Sequence, residues 1–246
     1  MARWLFISDL HLAGERPEAT ELFFRFLSEE AAGAHALCML GDLFEYWIGD
    51  DELDAPDGDP LAREAVRALR TLTQSGVAVH FMHGNRDFLI GRAFAAAAGI
   101  SLLEDPTVLQ VAGVPTLLMH GDTLCTDDHD YQAWRRTARA PEWQREFLSA
   151  PLAGRRKRIL QMREKSREVV AAKPAEIMDV NAAAVRDAFR RHDVRRLIHG
   201  HTHRSAYHQV EINGARCERW VLPDLYGDGG GGYLAVDEMG ARLVSF

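Results

Sequence analysis

Apolar positions along the chain fall into two kinds of run. Short, nearly continuous stretches of apolar, β-branched or aromatic residues each end in glycine or polar residues: RWLFISD (3–9), ALCMLGD (36–42), VAVHFMHGN (77–85), TLLMHGD (116–122) and RRLIHGH (195–201). Such runs predict buried strands that each hand out polar side chains at the C-terminal end. Between them lie stretches at helical spacing. PEATELFFRFLSEEAAG (17–33) and PLAREAVRALRTLTQSG (60–76) carry Pro near the start and Gly after the end, as helices prefer. Strands alternating with helices predict an α/β sheet. The C-terminal stretch differs, with SAYHQVEI, ARCERWVL, GGYLAVD and ARLVSF reading as short strands of an antiparallel layer.

Residues 130–191 break the alternation with a mostly helical pattern. GRRKRILQMREKSREVVAAK (154–173) reads as an amphipathic helix with a basic face, and DVNAAAVRDAFRRHD (179–193) as a helix capped by Asp179. The expectation is one domain over 1–246 with a helical insertion at about 130–178. The run Gly229–Gly232 reads as a flexible turn, since neither a helix nor a Lys follows it to cradle phosphate.

Composition narrows the class. Hydrophobic residues make up 47% and charged ones 26% of 246 residues, the balance of a soluble globular protein with a core of ordinary size. Cys38, Cys125 and Cys217 show no CxxC spacing, which suits a reducing compartment. The N-terminal apolar run is too short for a signal peptide, and no run reaches the roughly 18 apolar residues of a spanning helix, so a cytoplasmic protein is expected. The net charge of −7 is uneven: residues 131–175 hold 12 Lys+Arg against 4 Glu, while the remainder holds 17 basic and 32 acidic residues. The basic segment is either a solvated face or a contact for an anionic substrate or anionic lipid. Nucleic acid fits poorly with the acidic remainder, and no protein partner is inferred.

The strand ends deliver Asp9 and His11, then Asp42, Asn85, His120, and His201 with His203. In an open α/β sheet, ligands bind in the crevice outside the carboxyl ends of the strands, so these distant residues can converge. Imidazoles, carboxylates and an amide oxygen suit Mn²⁺, Fe²⁺ or Zn²⁺ and lack the thiolates of a structural zinc site. Each motif alone is weak, and a lone GHTH is commonly a polar loop. The ordered conjunction DLH, GD, GNRD, HGD and GHTH is what carries weight.

That conjunction resembles the calcineurin-like metallophosphoesterases, whose pattern is DxH, GD, GN[H/R][D/E], H and GHxH, matched here from Asp9 to His203. The resemblance implies a four-layered α/β/β/α sandwich and two divalent metals, most simply Mn²⁺. Asp9, His11 and His203 would hold one metal, Asn85, His120 and His201 the other, and Asp42 would bridge them. His199 falls outside the pattern and reads as packed or supporting. Asp87 reads as a residue supporting the ligands, orientation of a ligand imidazole being one such role, and Asp122 as doing likewise or bonding the backbone locally.

Many relatives carry His after the Asn, where this chain has Arg86. A guanidinium is a poor acid but a good phosphate clamp, which favours a phosphoanhydride whose leaving group needs no proton. Longer strings, among them GDLFEYWIGDD, HGNRDFLIG, LMHGDTLCTDD and EIMDVN, resemble the lipid A branch of the family. That branch implies hydrolysis of UDP-2,3-diacylglucosamine to UMP and 2,3-diacylglucosamine 1-phosphate, by a two-metal-activated hydroxide attacking the α-phosphate. It implies Asn85 and Arg86 as catalytic residues beside the phosphate, where His201 also lies, and Asp128, Ser166 and Lys173 as contacts to the acylated sugar. The helical insertion would then enclose acyl chains and touch the cytoplasmic face of the inner membrane. Val170 and Leu225 depart from what that branch leads one to expect. A general nucleotide or phosphodiester hydrolase, and a metal-bound scaffold without turnover, are the competing readings.

Overall fold

A computed structural model describes residues 2–171, 173, 175–225 and 231–246, without the side chains of 170, 171, 175 and 176. Gly229, Gly230 and the Val170 side chain therefore lie outside the described residues. The strands are β1 (Trp4–Ile7), β2 (Ala36–Met39), β3 (Ala78–Met82), β4 (Ser101–Leu103), β5 (Thr107–Val111), β6 (Val114–Met119), β7 (Arg196–His199), β8 (Ala206–Ile212), β9 (Ala215–Val221), β10 (Gly232–Asp237) and β11 (Gly240–Ser245). The helices are α1 (Pro17–Arg25), α2 (Pro60–Gln74), α3 (Arg92–Ala98), α4 (His129–Ala138), α5 (Pro141–Ser149), α6 (Leu152–Ala171) and α7 (Ala182–His192).

Two sheets form, in the orders β11-β10-β1-β2-β3-β4 and β5-β6-β7-β9-β8. Successive side chains on a strand face opposite ways, and the core follows that period. Leu5, Ile7, Leu37 and Met39 join the cluster containing residues of α1, α2 and α3. Their alternates Phe6 and Cys38 face Leu118 and Ile198 of the second sheet. On that sheet Leu117, Met119 and Leu197 turn the other way, onto Val185 and Phe189 of α7. The layers are therefore helix, sheet, sheet, helix, as a four-layered sandwich requires.

Two expectations change. The C-terminal strands are antiparallel neighbours within each hairpin, but the hairpins part company: β8–β9 closes one sheet and β10–β11 the other. In addition β9 runs parallel to β7. Helix α7 is capped by Asn181, whose Oδ1 accepts from the amides of Ala183 and Ala184 at 2.8 and 3.2 Å. Asp179 instead accepts from the Val180 amide and pairs with Arg204. Replacing Asn181 with Ala is expected to lower the unfolding free energy by about 1 kcal/mol, read by denaturant titration. Asp179→Ala should leave helix α7 capped.

Helix α6 does not divide cleanly into an apolar and a basic face. Arg155 and Ile159 are buried, whereas Leu160 is 46% and Val169 40% exposed. Arginines turn inward because carboxylates wait there: Arg155 meets Asp51, Arg156 meets Glu52, and Arg163 meets Glu45.

Candidate metal centre

β1, β2 and β3 run parallel, as do β6 and β7 in the other sheet. Their C-terminal ends meet along one edge, and loops from the two sheets are cross-bonded there. His201 N donates to Asp9 Oδ2 at 2.8 Å, and His120 Nδ1 lies 2.8 Å from Leu40 O. Among the described residues, eight non-glycine residues have positive φ, and five of them are Asp9, His11, Asp42, His201 and His203. Such backbone is costly for an L residue and clusters at functional sites.

Two groups of ligand atoms converge. Asp9, His11 and His203 bring one donor atom each within 4.8 Å of one another, and Asp9, Asp42 and His120 do the same. Asp42 Oδ2 lies between them, 3.7 Å from His11 Nε2 and 4.0 Å from His120 Nε2. Asn85 Oδ1 joins the second group, 3.0 Å from His120 Nε2 and 2.9 Å from His201 Nδ1.

The imidazoles are oriented from behind. With Nδ1 donating to Leu40 O, neutral His120 turns its Nε2 lone pair on the Asn85 oxygen, and only a proton or a cation satisfies both. His203 Nδ1 pairs with Asp224, which leaves Nε2 facing Asp9 Oδ1 at 3.6 Å. His11 Nδ1 lies 3.1 Å from Glu45 Oε2. Asp9 Oδ1 is buried with no hydrogen-bond partner among the described residues, while Oδ2 is taken by Ser8 and the His201 amide. Lone pairs facing lone pairs in a dry nitrogen/oxygen pocket fit divalent cations.

The supporting acids differ from expectation. Among the described residues the hydrogen bonds of Asp87 come from backbone, its oxygens accepting from the amides of Gly84 at 2.9, Leu43 at 2.7 and Asp42 at 3.3 Å. Three backbone donors converge on it because the loops after β2 and β3 must be clamped together. Burial and the nearby Asp42 push its pKa up to about 7. Asp122 accepts from the Tyr131 hydroxyl at 2.6 Å and Arg135 Nε at 2.7 Å, and so anchors α4 rather than a ligand. His199 is buried, lies 2.9 Å from Gly200 O and receives Arg219 on Nε2 at 3.1 Å, a packed histidine as expected.

Family comparison agrees with this geometry. The sequence model described as calcineurin-like phosphoesterase matches residues 2–205. The chain belongs to this family. Among curated proteins, it is 47% identical to the UDP-2,3-diacylglucosamine hydrolase of Aromatoleum aromaticum over 98% of this chain and 95% of that one. It is 48% identical to the enzyme of the same name from Aeromonas hydrophila over 92% and 91% of the two chains, and 47% identical to that of Stenotrophomonas maltophilia strain K279a over 97% and 96%. As a calcineurin-like phosphoesterase the chain carries a divalent-metal centre.

The phosphoesterase site opens into a cavity of about 700 Å³ lined by His11, Asp42, Asn85, Arg86, His201 and His203, and also by Asp128, Tyr131 and Ser166. Those last three also line an adjoining groove of about 690 Å³ whose walls include Trp134, Trp143, Met162 and Val169. Lys173 lines the groove too, and its Nζ holds both oxygens of Asp128 at 2.6 and 2.7 Å. Asp128 additionally caps α4 by accepting from the Tyr131 amide at 3.1 Å. Arg86 is placed by its own amide, which donates to Asp42 Oδ1 at 2.8 Å. Leu225 is buried in the core containing Tyr233, and its amide donates to Asp9 O at 3.3 Å.

Glu45, Asp224 and Tyr131 escaped sequence reasoning. The signal for Glu45 was a lone carboxylate in the otherwise apolar run LFEYWI, and for Asp224 an acid just after β9.

In the metal-free protein the four imidazoles are poised unequally. Burial, with the charge on His120, lowers His201 to about 4, and burial outweighs the neighbouring acids to bring His11 to about 4. Burial opposes the charged form of His120, yet Asp42, Asp122 and Asp9 outweigh it and raise it to about 9. His203 is also raised, by Asp224 and Asp9 against burial. At pH 7 His11 and His201 are therefore already neutral, whereas His120 holds a proton that a metal must displace. Mn²⁺ uptake at pH 7 should release protons, and affinity should rise about tenfold per pH unit for each proton displaced, up to the His120 pKa of about 9. Calorimetry in buffers of different ionisation enthalpy reads the number directly.

Proposed function

We propose that this phosphoesterase hydrolyses the pyrophosphate of UDP-2,3-diacylglucosamine, giving UMP and 2,3-diacylglucosamine 1-phosphate. The observation that carries this reading is the continuity of the polar cavity with a groove walled by Trp134, Trp143, Met162 and Val169. A small diester needs no such annex, whereas each acyl methylene buried there contributes about 0.8 kcal/mol. The names of the relatives at 47–48% identity supply the nucleotide and the sugar.

Asp9, His11 and His203 would hold one Mn²⁺, Asn85, His120 and His201 would hold the second, and Asp42 would serve both. When bound, the metals lower the pKa of water and offset charge on the phosphoryl oxygens. The chain contributes position and charge. Arg86 faces the cavity as a permanently protonated fork for the pyrophosphate, and Asn85 lies beside it. No general acid is required, because the departing group is already a phosphate. Water adds to the α-phosphorus and the bond to the lipid phosphate breaks, so solvent oxygen ends in UMP. Ser166, at the mouth between cavity and groove, and the Asp128–Lys173 pair meet the glucosamine and its acyl amides.

Helices α4–α6 form an insertion on the one phosphoesterase domain. No helix among the described residues is long and apolar enough to cross a membrane. Trp134, Leu148, Leu160 and Val169 are exposed on these helices, which also expose Arg145 and Arg158. That mixture suits peripheral contact with the anionic cytoplasmic face of the inner membrane, where the lipid substrate resides.

The test is turnover by metal-stripped protein with Mn²⁺ restored, on the diacylated substrate in detergent, with UDP-glucose and a chromogenic diester in parallel. Metal-dependent UMP release from the lipid alone, with ¹⁸O from labelled water in UMP, is the expected result. Equal turnover of the diester would return the reading to a general phosphodiesterase, and metal binding without turnover to a scaffold.

A further inference from the structure

We infer that Glu45 is a positioning residue that ties the helical insertion to the metal centre, one carboxylate oxygen steering His11 while the other is held by Arg163 of α6. The inference rests on the proposed reading of His11 and Asp42 as metal ligands. Glu45 is buried, three residues beyond Asp42, on a loop that the Leu12–Phe44 bridge fastens beside His11. Its amide donates to Leu12 O at 3.1 Å. Oε2 lies 3.1 Å from His11 Nδ1, and Oε1 receives Nη2 of Arg163, with Arg167 Nη2 at 4.0 Å. The guanidinium of Arg163 lies over the Tyr46 ring, 5.4 Å from its centre.

Residues 45–52 thus form a strap gripped by α6. Arg155 Nη1 donates to Ile48 O at 2.6 Å and to Asp51 Oδ1 at 2.9 Å, and Arg156 Nη2 donates to Glu52 Oε1 at 2.8 Å. Of these ion pairs, the one at Glu45 continues to a ligand imidazole.

A buried carboxylate is tolerated when its charge is matched, and removing the matching cation is costly. Without Arg163, the carboxylate of Glu45 loses the cation that holds its Oε1 toward α6. Its Oε2 then no longer stays fixed 3.1 Å from His11 Nδ1, and the orientation of Nε2 toward Asp42 is less well set. Linkage makes the effect reciprocal: metal seated on His11 favours the position of α6 in which Arg163 grips Glu45. Ser166 follows Arg163 by three residues on that helix and lines the cavity, so the same link reaches the substrate end.

The experiment is Mn²⁺ titration by calorimetry of the full-length, metal-stripped protein. The variants are Arg163→Met, Glu45→Gln, the double variant, Arg156→Met and Asp42→Asn. Glu45→Gln is expected to weaken binding by about 10- to 100-fold, and Arg163→Met by about tenfold. The double variant should bind no more weakly than Glu45→Gln alone, because both changes break one link. Arg156→Met removes an ion pair of the same kind that does not lead to His11, and should stay within about twofold of the parent. Thermal unfolding in EDTA shows whether any variant has lost its fold. Arg163→Met binding as the parent does, strictly additive losses, or an equal loss in Arg156→Met would each overturn the link. If Asp42→Asn weakens binding and Arg163→Met does not, the link alone fails. If Asp42→Asn binds as tightly as the parent, the ligand reading fails and takes the link with it.

Discussion

Asp42→Asn is expected to abolish most turnover of the diacylated substrate, lowering kcat by about 10³-fold or more while the protein stays folded. The size follows from position. Losing a residue that merely supports a ligand costs about 10–100-fold in metal affinity or activity. Asp42 Oδ2 stands 3.7 Å from His11 Nε2 and 4.0 Å from His120 Nε2, between the two groups of ligand atoms. Two cations held close together repel, and the amide oxygen of Asn carries no formal charge to offset that. A thousandfold loss is about 4 kcal/mol of transition-state stabilisation, several times the worth of an ordinary hydrogen bond. Asn keeps the shape, so Oδ1 can still accept from the Arg86 amide, which the native carboxylate does at 2.8 Å. Initial rates at saturating Mn²⁺, together with bound metal measured by elemental analysis, decide the matter. Activity within tenfold of the parent at full metal content would show that Asp42 is not the shared ligand.

The strand-end residues were legible because sheet geometry repeats. A buried strand must end in polar residues, and parallel strands end along one edge, so position in the chain translates directly into position in space. That logic reached Asp9, Asp42, Asn85, His120 and His201, which the structure brings together across both sheets. It placed His199 correctly as packed. It reached Asp87 as a supporting residue without its partners, and it missed the partners of Asp122, because a buried acid after a strand has several possible partners. Asp87 is claimed by three backbone amides and Asp122 by Tyr131 and Arg135, and neither partner set has a sequence spacing to announce it.

The same limit hid Glu45, whose partner Arg163 of α6 is 118 residues away. It also explains α6. From sequence the inward face should be apolar, but Asp51, Glu52 and Glu45 draw arginines inward and leave Leu160 and Val169 exposed. The positive φ of Asp9, His11, Asp42, His201 and His203 was likewise invisible, since tertiary contacts override local preference at such residues. The glycines between them were visible as letters in GD, GN and GH, without the reason for them.

Gly84→Ala tests that reason. In the unfolded chain the change is favourable by about 0.4–1 kcal/mol, because Ala has fewer conformations to lose. Gly84 does not sit in the left-handed region, so backbone strain does not offset this gain. Space does: a Cβ on Gly84 would collide with the carboxylate and the backbone nitrogen of Asp42. Overpacking of this kind costs about 1–3 kcal/mol, so the net destabilisation should lie between about 0 and 2.6 kcal/mol. Turnover should fall as well, because the group displaced is the carboxylate that stands between the two groups of ligand atoms. A shift of about 1 Å in a reacting constellation can cost about 100-fold, and that is the expected fall in kcat. Gly154→Ala is the matching control. Gly154 lies in α6 with open space around it, so the substitution should add up to about 1 kcal/mol of helix stability and leave turnover unchanged. Denaturant midpoints and initial rates for the two variants separate packing from chemistry. Parent-like turnover in Gly84→Ala would mean that the Asp42 carboxylate works from some other position than the one the loops after β2 and β3 impose.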